Sequence, residues 1–145
     1  MAKLGRYSAD RKKIESVTAA TKTVEVHDCG TIFMMDAASS ATTFTLPKAS
    51  DAGKGWWCKF VAGIDHNDAD HVIQINSNDS DNLHINMFSV EAQNVGAGAS
   101  LSTGSASTAV KKLSLEGSAT EIGDQYELVT DGTLWIDRKS VVRER

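Results

Sequence analysis

Short runs in which apolar and polar residues alternate recur along the chain. Lys22-Thr23-Val24-Glu25-Val26, Val72-Ile73-Gln74-Ile75-Asn76 and, most cleanly, Leu83-His84-Ile85-Asn86-Met87 follow a period of two, the mark of a strand with one face buried and the other wet. Thr31-Ile32-Phe33-Met34-Met35 is instead a continuous apolar run of strand length, which predicts a central strand covered on both faces. Lys13 to Thr18, Thr42 to Leu46, Trp56 to Val61 and Ala109 to Leu115 are further strands on composition. In "YELVTDGTLWIDR", Asp131-Gly132 separates two β-rich runs and predicts a hairpin closed by a tight two-residue turn, since both residues tolerate positive φ. No stretch sustains a helical period; Ala49 to Gly53 suits one helical turn ended by glycine. Residues 89 to 108 are poor in bulky side chains and read as a long mobile loop or an edge excursion. The pattern predicts an all-β protein of roughly eight to ten short strands, built as an antiparallel β-sandwich or a small jelly-roll-like barrel.

One run stands apart. "ATTFTLPKASDAGKGWWCKFV", residues 41 to 61, holds the chain's single proline, two of its four phenylalanines and two of its three tryptophans. Pro47 lacks an N–H and so ends the strand before it or confines it to an edge. Within the next strand Trp56 and Trp57 must point to opposite faces. One of them therefore anchors the core and the other meets solvent, a loop or a neighbouring subunit, which makes Trp56 and Trp57 the candidates for a subunit interface. Trp135 is assigned to the core.

Charge divides the chain into three parts. The net charge is -4, yet residues 1 to 13 hold five basic residues against one acidic, and residues 138 to 145 hold four against one. The stretch between carries six basic and seventeen acidic residues. Basic arms at 1–13 and 138–145 thus flank a single acidic β-domain at 14–137, a layout suited to a body that stays dispersed while its ends attach to an acidic surface. Among the basic residues of the first arm the only aromatic is Tyr7, which argues against nucleic acid as that surface. Length and composition, 145 residues with 41% hydrophobic and 6% aromatic, allow one lean core and point to an oligomer. No apolar run is long enough to span a membrane, and no signal peptide is legible.

Chemistry-bearing motifs are sparse. Cys29 and Cys58 lack metal-ligand spacing and read as small apolar strand residues. No nucleophile elbow, zinc-protease helix or phosphate loop occurs, and His27, His66, His71 and His84 stand singly, so no enzyme activity and no cofactor are expected. "DHNDADH", residues 65 to 71, is rich in oxygen and imidazole ligands. It departs from the calcium-loop pattern, with no glycine at the sixth position and Asn76 at the twelfth, and reads as a solvated turn with no metal.

The succession "FTLPKASDAGKGWWCKFV", "HVIQIN" and "GDQYELVTDGTLWI" resembles a small β-module that recurs in tailed-bacteriophage structural proteins, running from an "LP.A..AG" turn into an aromatic strand and closing on "G....LV.DG..W". The resemblance spans about residues 28 to 137 and rests on turn and packing residues. It implies a virion protein, most like a capsid decoration, or cement, protein: made in the host cytoplasm, bound as a homotrimer to the major capsid protein on the outside of the head, and stabilising the shell by bridging its subunits. The residues expected to make that attachment, on the charge of the two ends, are Arg6, Tyr7, Arg11, Lys12 and Lys13 at one end and Arg138, Arg143 and Arg145 at the other. The same module in a tail fibre or tail adaptor, contacting a host glycan or another tail protein, is the alternative.

Overall fold

The computed structural model describes residues 12–37, 40–65, 70–74, 83–84, 86–91, 100–105, 111–115, 120–138 and 141–144. In the first half lie β1 (Lys13–Val17), β2 (Thr21–Thr23), β3 (Thr31–Met35), β4 (Thr43–Thr45), β5 (Trp57–Ala62) and β6 (His71–Gln74). A 3-10 turn, Val26–Asp28, precedes β3, and a one-turn helix, α1 (Ala49–Ala52), precedes β5. Then follow β7 (Leu83–His84), β8 (Asn86–Glu91), β9 (Ser100–Ser105), β10 (Lys112–Leu115), β11 (Gln125–Thr130), β12 (Trp135–Asp137) and β13 (Val141–Glu144). Among the described residues these strands form a nine-stranded and a four-stranded sheet, both mixed, and neither closes into a barrel.

Consecutive strands in the first half alternate between the sheets. β1, β3 and β5 lie side by side in parallel in the larger sheet, and β2, β4 and β6 do the same in the smaller. The chain therefore winds as three stacked turns, each adding one strand to both sheets. β11 then runs antiparallel along β5 and β10 antiparallel along β6. This corrects the all-antiparallel expectation. Alternation with a period of two reports one buried face and is blind to strand direction; here the excursion through the opposite sheet supplies the crossover that a parallel return requires.

The core lies between the sheets and follows the parity of the strands. Thr31, Phe33 and Met35 of β3, Cys58, Phe60 and Ala62 of β5, and Tyr126, Leu128 and Thr130 of β11 are buried, and Phe44 and Ile73 meet them from the smaller sheet. Phe33 lies opposite Phe60 in register with its ring stacked on it at 5.5 Å, while Phe44 crosses from the other sheet to 5.0 Å from Phe60 and 6.1 Å from Phe33. Burying each such ring contributes about 1.5–3 kcal/mol.

At the β1–β2 end of the stack, among the described residues, the inward positions turn polar. Glu15, in register with Phe33, forms a close ion pair with Lys22, which is in register with Phe44. The Lys22 ammonium lies 5.5 Å from the centroid of the Phe33 ring. An ion pair over an aromatic ring ends the core where the next turn of chain would sit. Inward charge of this kind also guards β1 and β2 against pairing with another chain.

The glycine- and tryptophan-rich corner explains why its two halves occur together in sequence. β4 stops at Thr45 and Pro47 lies beyond the ladder; α1 follows and ends at Gly53, whose φ is 81°. Gly55 then donates its N–H to the Thr130 carbonyl and Thr130 donates to that of Trp56. This pins the corner to the end of β11. Trp56 and Trp135 pack edge to face at 5.3 Å, and the Trp56 indole N–H donates to the Val26 carbonyl at 2.7 Å.

The structure bears on three further expectations. The β11–β12 connection is a four-residue loop, Asp131 to Leu134, because Thr130 pairs with Trp135. The Asp131 side chain accepts from the N–H groups of Thr133 and Leu134, so it organises a wider turn than the tight one expected. Of the two readings of residues 89 to 108, a mobile loop or an edge excursion, the described residues fit the second: β8 and β9 pair from Asn86–Ser105 to Glu91–Ser100 at the edge of the larger sheet, and regular pairing there does not depend on bulky side chains. Finally, β13 lies inside the segment read as a basic tail, paired in parallel with β8.

Candidate docking face

The outer faces of the two sheets differ in chemistry. On the smaller sheet the outward positions are Thr21 and Thr23, Thr43 and Thr45, Val72 and Gln74, and Lys112, with Thr21 opposite Thr43 and Thr23 opposite Thr45. That is an ordinary wet face of β-favouring polar residues. On the larger sheet the outward positions are Ile14 and Ser16 of β1, Ile32 and Met34 of β3, Trp57, Lys59 and Val61 of β5, Gln125, Glu127 and Val129 of β11, and Ile136 of β12. Ile14 is 64% exposed and Ile136 37%; the other apolar members are half-buried by their neighbours. Among the described residues β3 is thus fully buried on one face only, where its apolar run predicted cover on both.

The roots of both basic ends meet this face. Lys12 places its ammonium 5.1 Å from the centroid of the Trp57 ring, a cation–π contact worth about 0.5–1 kcal/mol at an exposed position. Arg138 donates its backbone N–H to the Glu127 carbonyl, and its guanidinium lies 3.2 Å from the Glu127 carboxylate. Lys59 stands opposite Glu127 in the ladder. With Glu127 taken up by Arg138, neither Lys59 nor Lys12 has an ion-pair partner among the described residues.

The remaining site residues fall elsewhere. Lys13 does not share the face: it occupies an inward position and donates to the Asp28 carboxylate at 2.7 Å. Burial alone would raise the Asp28 carboxyl, but the hydrogen bond from Lys13, that from the Glu25 N–H and the charges of Lys13 and Lys22 together hold it below the usual carboxylate range. The same hydrogen bond raises the Lys13 ammonium. This pair is structural, and sequence reasoning missed it because the partners are fifteen residues apart and meet only through the β1–β3 register. Arg6, Tyr7, Arg11 and Arg145 lie outside the described residues, and Arg143 is placed in β13 opposite Val90. Of the two tryptophans proposed for a subunit interface, Trp56 is 4% exposed and belongs to the core; Trp57 is the one at the surface.

Reactive groups are placed as follows. Cys58 is buried, which pushes its thiol well above the ordinary range, and Cys29 is exposed. His71 is buried, with its Nδ1 accepting the Thr42 N–H at 3.2 Å, so one of its ring nitrogens is committed to the fold. Asp65 and Asp70 are exposed, and positions 66 to 69 of that acidic loop lie outside the described residues. Among the described residues no group of three or more His, Cys, Asp or Glu side chains is arranged to hold a metal ion, and no helix is long and apolar enough to cross a membrane. No protein-family model and no curated protein matches the chain.

Proposed function

We infer that the protein is a structural component of a tailed-phage virion that decorates the outside of the head. It binds the major capsid protein as a homotrimer and bridges neighbouring subunits. The sequence resemblance to phage β-modules supports this reading, and the corner that carries the resemblance has a physical basis in the hydrogen bonds tying Gly55 and Trp56 to Thr130. The observation that carries most weight is the convergence of Lys12, Trp57 and Arg138 on one outer face. Basic arms and an aromatic anchor rooted on the same side suit a small protein held against a larger surface. We infer also that the two facing sheets are the halves of one sandwich, supported by the contacts of Phe44 with both Phe33 and Phe60.

The mechanism is mechanical. Many equivalent copies, each making modest contacts, act together through avidity, and a protein that binds only the assembled shell stabilises it by mass action. Co-sedimentation of the purified protein with assembled heads that lack it tests this directly. The protein pellets with heads and not with free capsid subunits, and double substitution of Arg11 and Lys12 to Ala weakens binding most at low salt. Absence of co-sedimentation at every salt concentration would dismiss the reading.

A further inference from the structure

We propose that the outer face of the larger sheet is itself the docking surface, and that its occupant is an apolar, carboxylate-bearing patch on the assembled shell. This deepens the decoration reading and rests on it. Arms alone do not require an apolar sheet face. Yet Ile14, Ile32, Met34, Val129, Trp57, Val61 and Ile136 lie on contiguous strands of that face, while the equivalent face of the smaller sheet offers, among its described residues, a single apolar side chain, Val72, beside threonines, Gln74 and Lys112. One sheet is dressed for water and the other for a partner.

Charge and area name the partner. Lys12 and Lys59 stand among the apolar residues with no ion pair among the described residues, Glu127 opposite Lys59 being paired with Arg138. A second copy packed face to face would double the uncompensated lysines in one contact and bring no carboxylate from the described rows of this face except Glu127, already paired with Arg138. A surface offering carboxylates beside apolar groups satisfies both. Five strands spaced by ~4.8 Å and about five residues long at ~3.3 Å per residue give a footprint of roughly 400 Å². That is about half of what one side of a standard stable interface buries, about 800 Å². A patch of that size is weak for a free-standing dimer and adequate when many copies engage one lattice.

The test compares Ile14→Thr with Ile136→Thr in one double variant, Ile122→Thr as a control and Lys59→Glu as a separate variant, each titrated against assembled heads lacking the protein. Ile122 is 61% exposed but sits in the turn before β11, off the outer rows, so it matches the chemistry of the change and not its place. The double variant should bind heads about tenfold or more weakly, with its melting temperature and solution mass unchanged, and Ile122→Thr should bind as the wild type does. Lys59→Glu should lose binding, most at low salt. If the wild type binds and the double variant binds equally, the face is not the docking surface, although the decoration reading survives. If all variants weaken alike, the effect is not local and the proposal fails. A dimer in the wild type that the double variant loses would make a second copy the occupant and overturn the partner named here. If the wild type binds no heads, the decoration reading falls and this inference with it.

Discussion

Phe60→Ala removes the ring at the centre of the core and offers the sharpest check on how the two sheets meet. The Phe60 side chain is fully buried on β5, stacked on Phe33 at 5.5 Å and met edge-on by Phe44 at 5.0 Å. Truncating a buried phenylalanine costs about 3–5 kcal/mol, the lost transfer of the ring plus the cavity it leaves. The two aromatic contacts, about 0.5–1.5 kcal/mol each, place Phe60 toward the upper part of that range. Val61 is the control, one residue along the same strand and half-buried on the outer face; Val61→Ala should cost about 1 kcal/mol or less. Urea unfolding followed by tryptophan fluorescence measures both, and a loss of ~3 kcal/mol corresponds to roughly 10 °C in melting temperature for a chain of this size. If Phe60→Ala leaves too little folded protein to titrate, Phe60→Leu keeps most of the volume and should cost less while remaining costlier than Val61→Ala. Equal costs at positions 60 and 61, or the reverse order, would refute the assignment of the core to that face of β5 and the packing of Phe44 across it.

The Asp28 carboxyl is held below its ordinary range, so the stability it lends is complete above that range and is lost as pH falls through its lowered value. Asp28→Asn should cost about 1–3 kcal/mol at neutral pH and flatten the acid limb of a pH–melting-temperature curve; an unchanged acid limb would contradict the Lys13–Asp28 pairing. Gly132 has φ of 92°, and a Cβ there would lie 3.5 Å from the Lys54 backbone nitrogen, whereas Gly123, at φ of 94°, faces open space. Both changes to Ala carry the strain of a left-handed residue, about 1–2 kcal/mol, and because 3.5 Å is ordinary van der Waals contact the two should cost about the same in a thermal melt; a much larger loss at Gly132 would contradict the packing described for the corner. A thiol reagent should modify one cysteine quickly in the native protein and the second only on unfolding, because Cys29 is exposed and Cys58 is buried with its thiol raised; Cys29→Ser should abolish the fast phase, and a remaining fast phase would contradict the burial of Cys58.

Much of the fold was legible because burial has a period. The parity of Trp56, Cys58 and Phe60 against Trp57 follows from strand geometry alone, and the structure places them so. Strand direction was not legible, since Thr31 to Met35 would alternate in the same way beside a parallel or an antiparallel neighbour. The engagement of the Asp131 carboxylate with Thr133 and Leu134 was equally hidden, because Asp-Gly fits both the tight turn and the wider loop. Of the docking face, Lys12 and Trp57 were visible singly. Their meeting was not, since it depends on β1 and β5 flanking β3. The apolar outward positions of β3 carried a signal in the unbroken run TIFMM, which marks cover on a second face without saying whether this chain or another provides it.

The copy number of this chain relative to the major capsid protein, measured by quantitative mass spectrometry of purified particles, tests the central claim most directly. A decoration protein that acts by occupying equivalent lattice sites is predicted at about one third of the capsid protein's abundance or more. A ratio of about a few per hundred would instead match a tail component and contradict the assignment to the head.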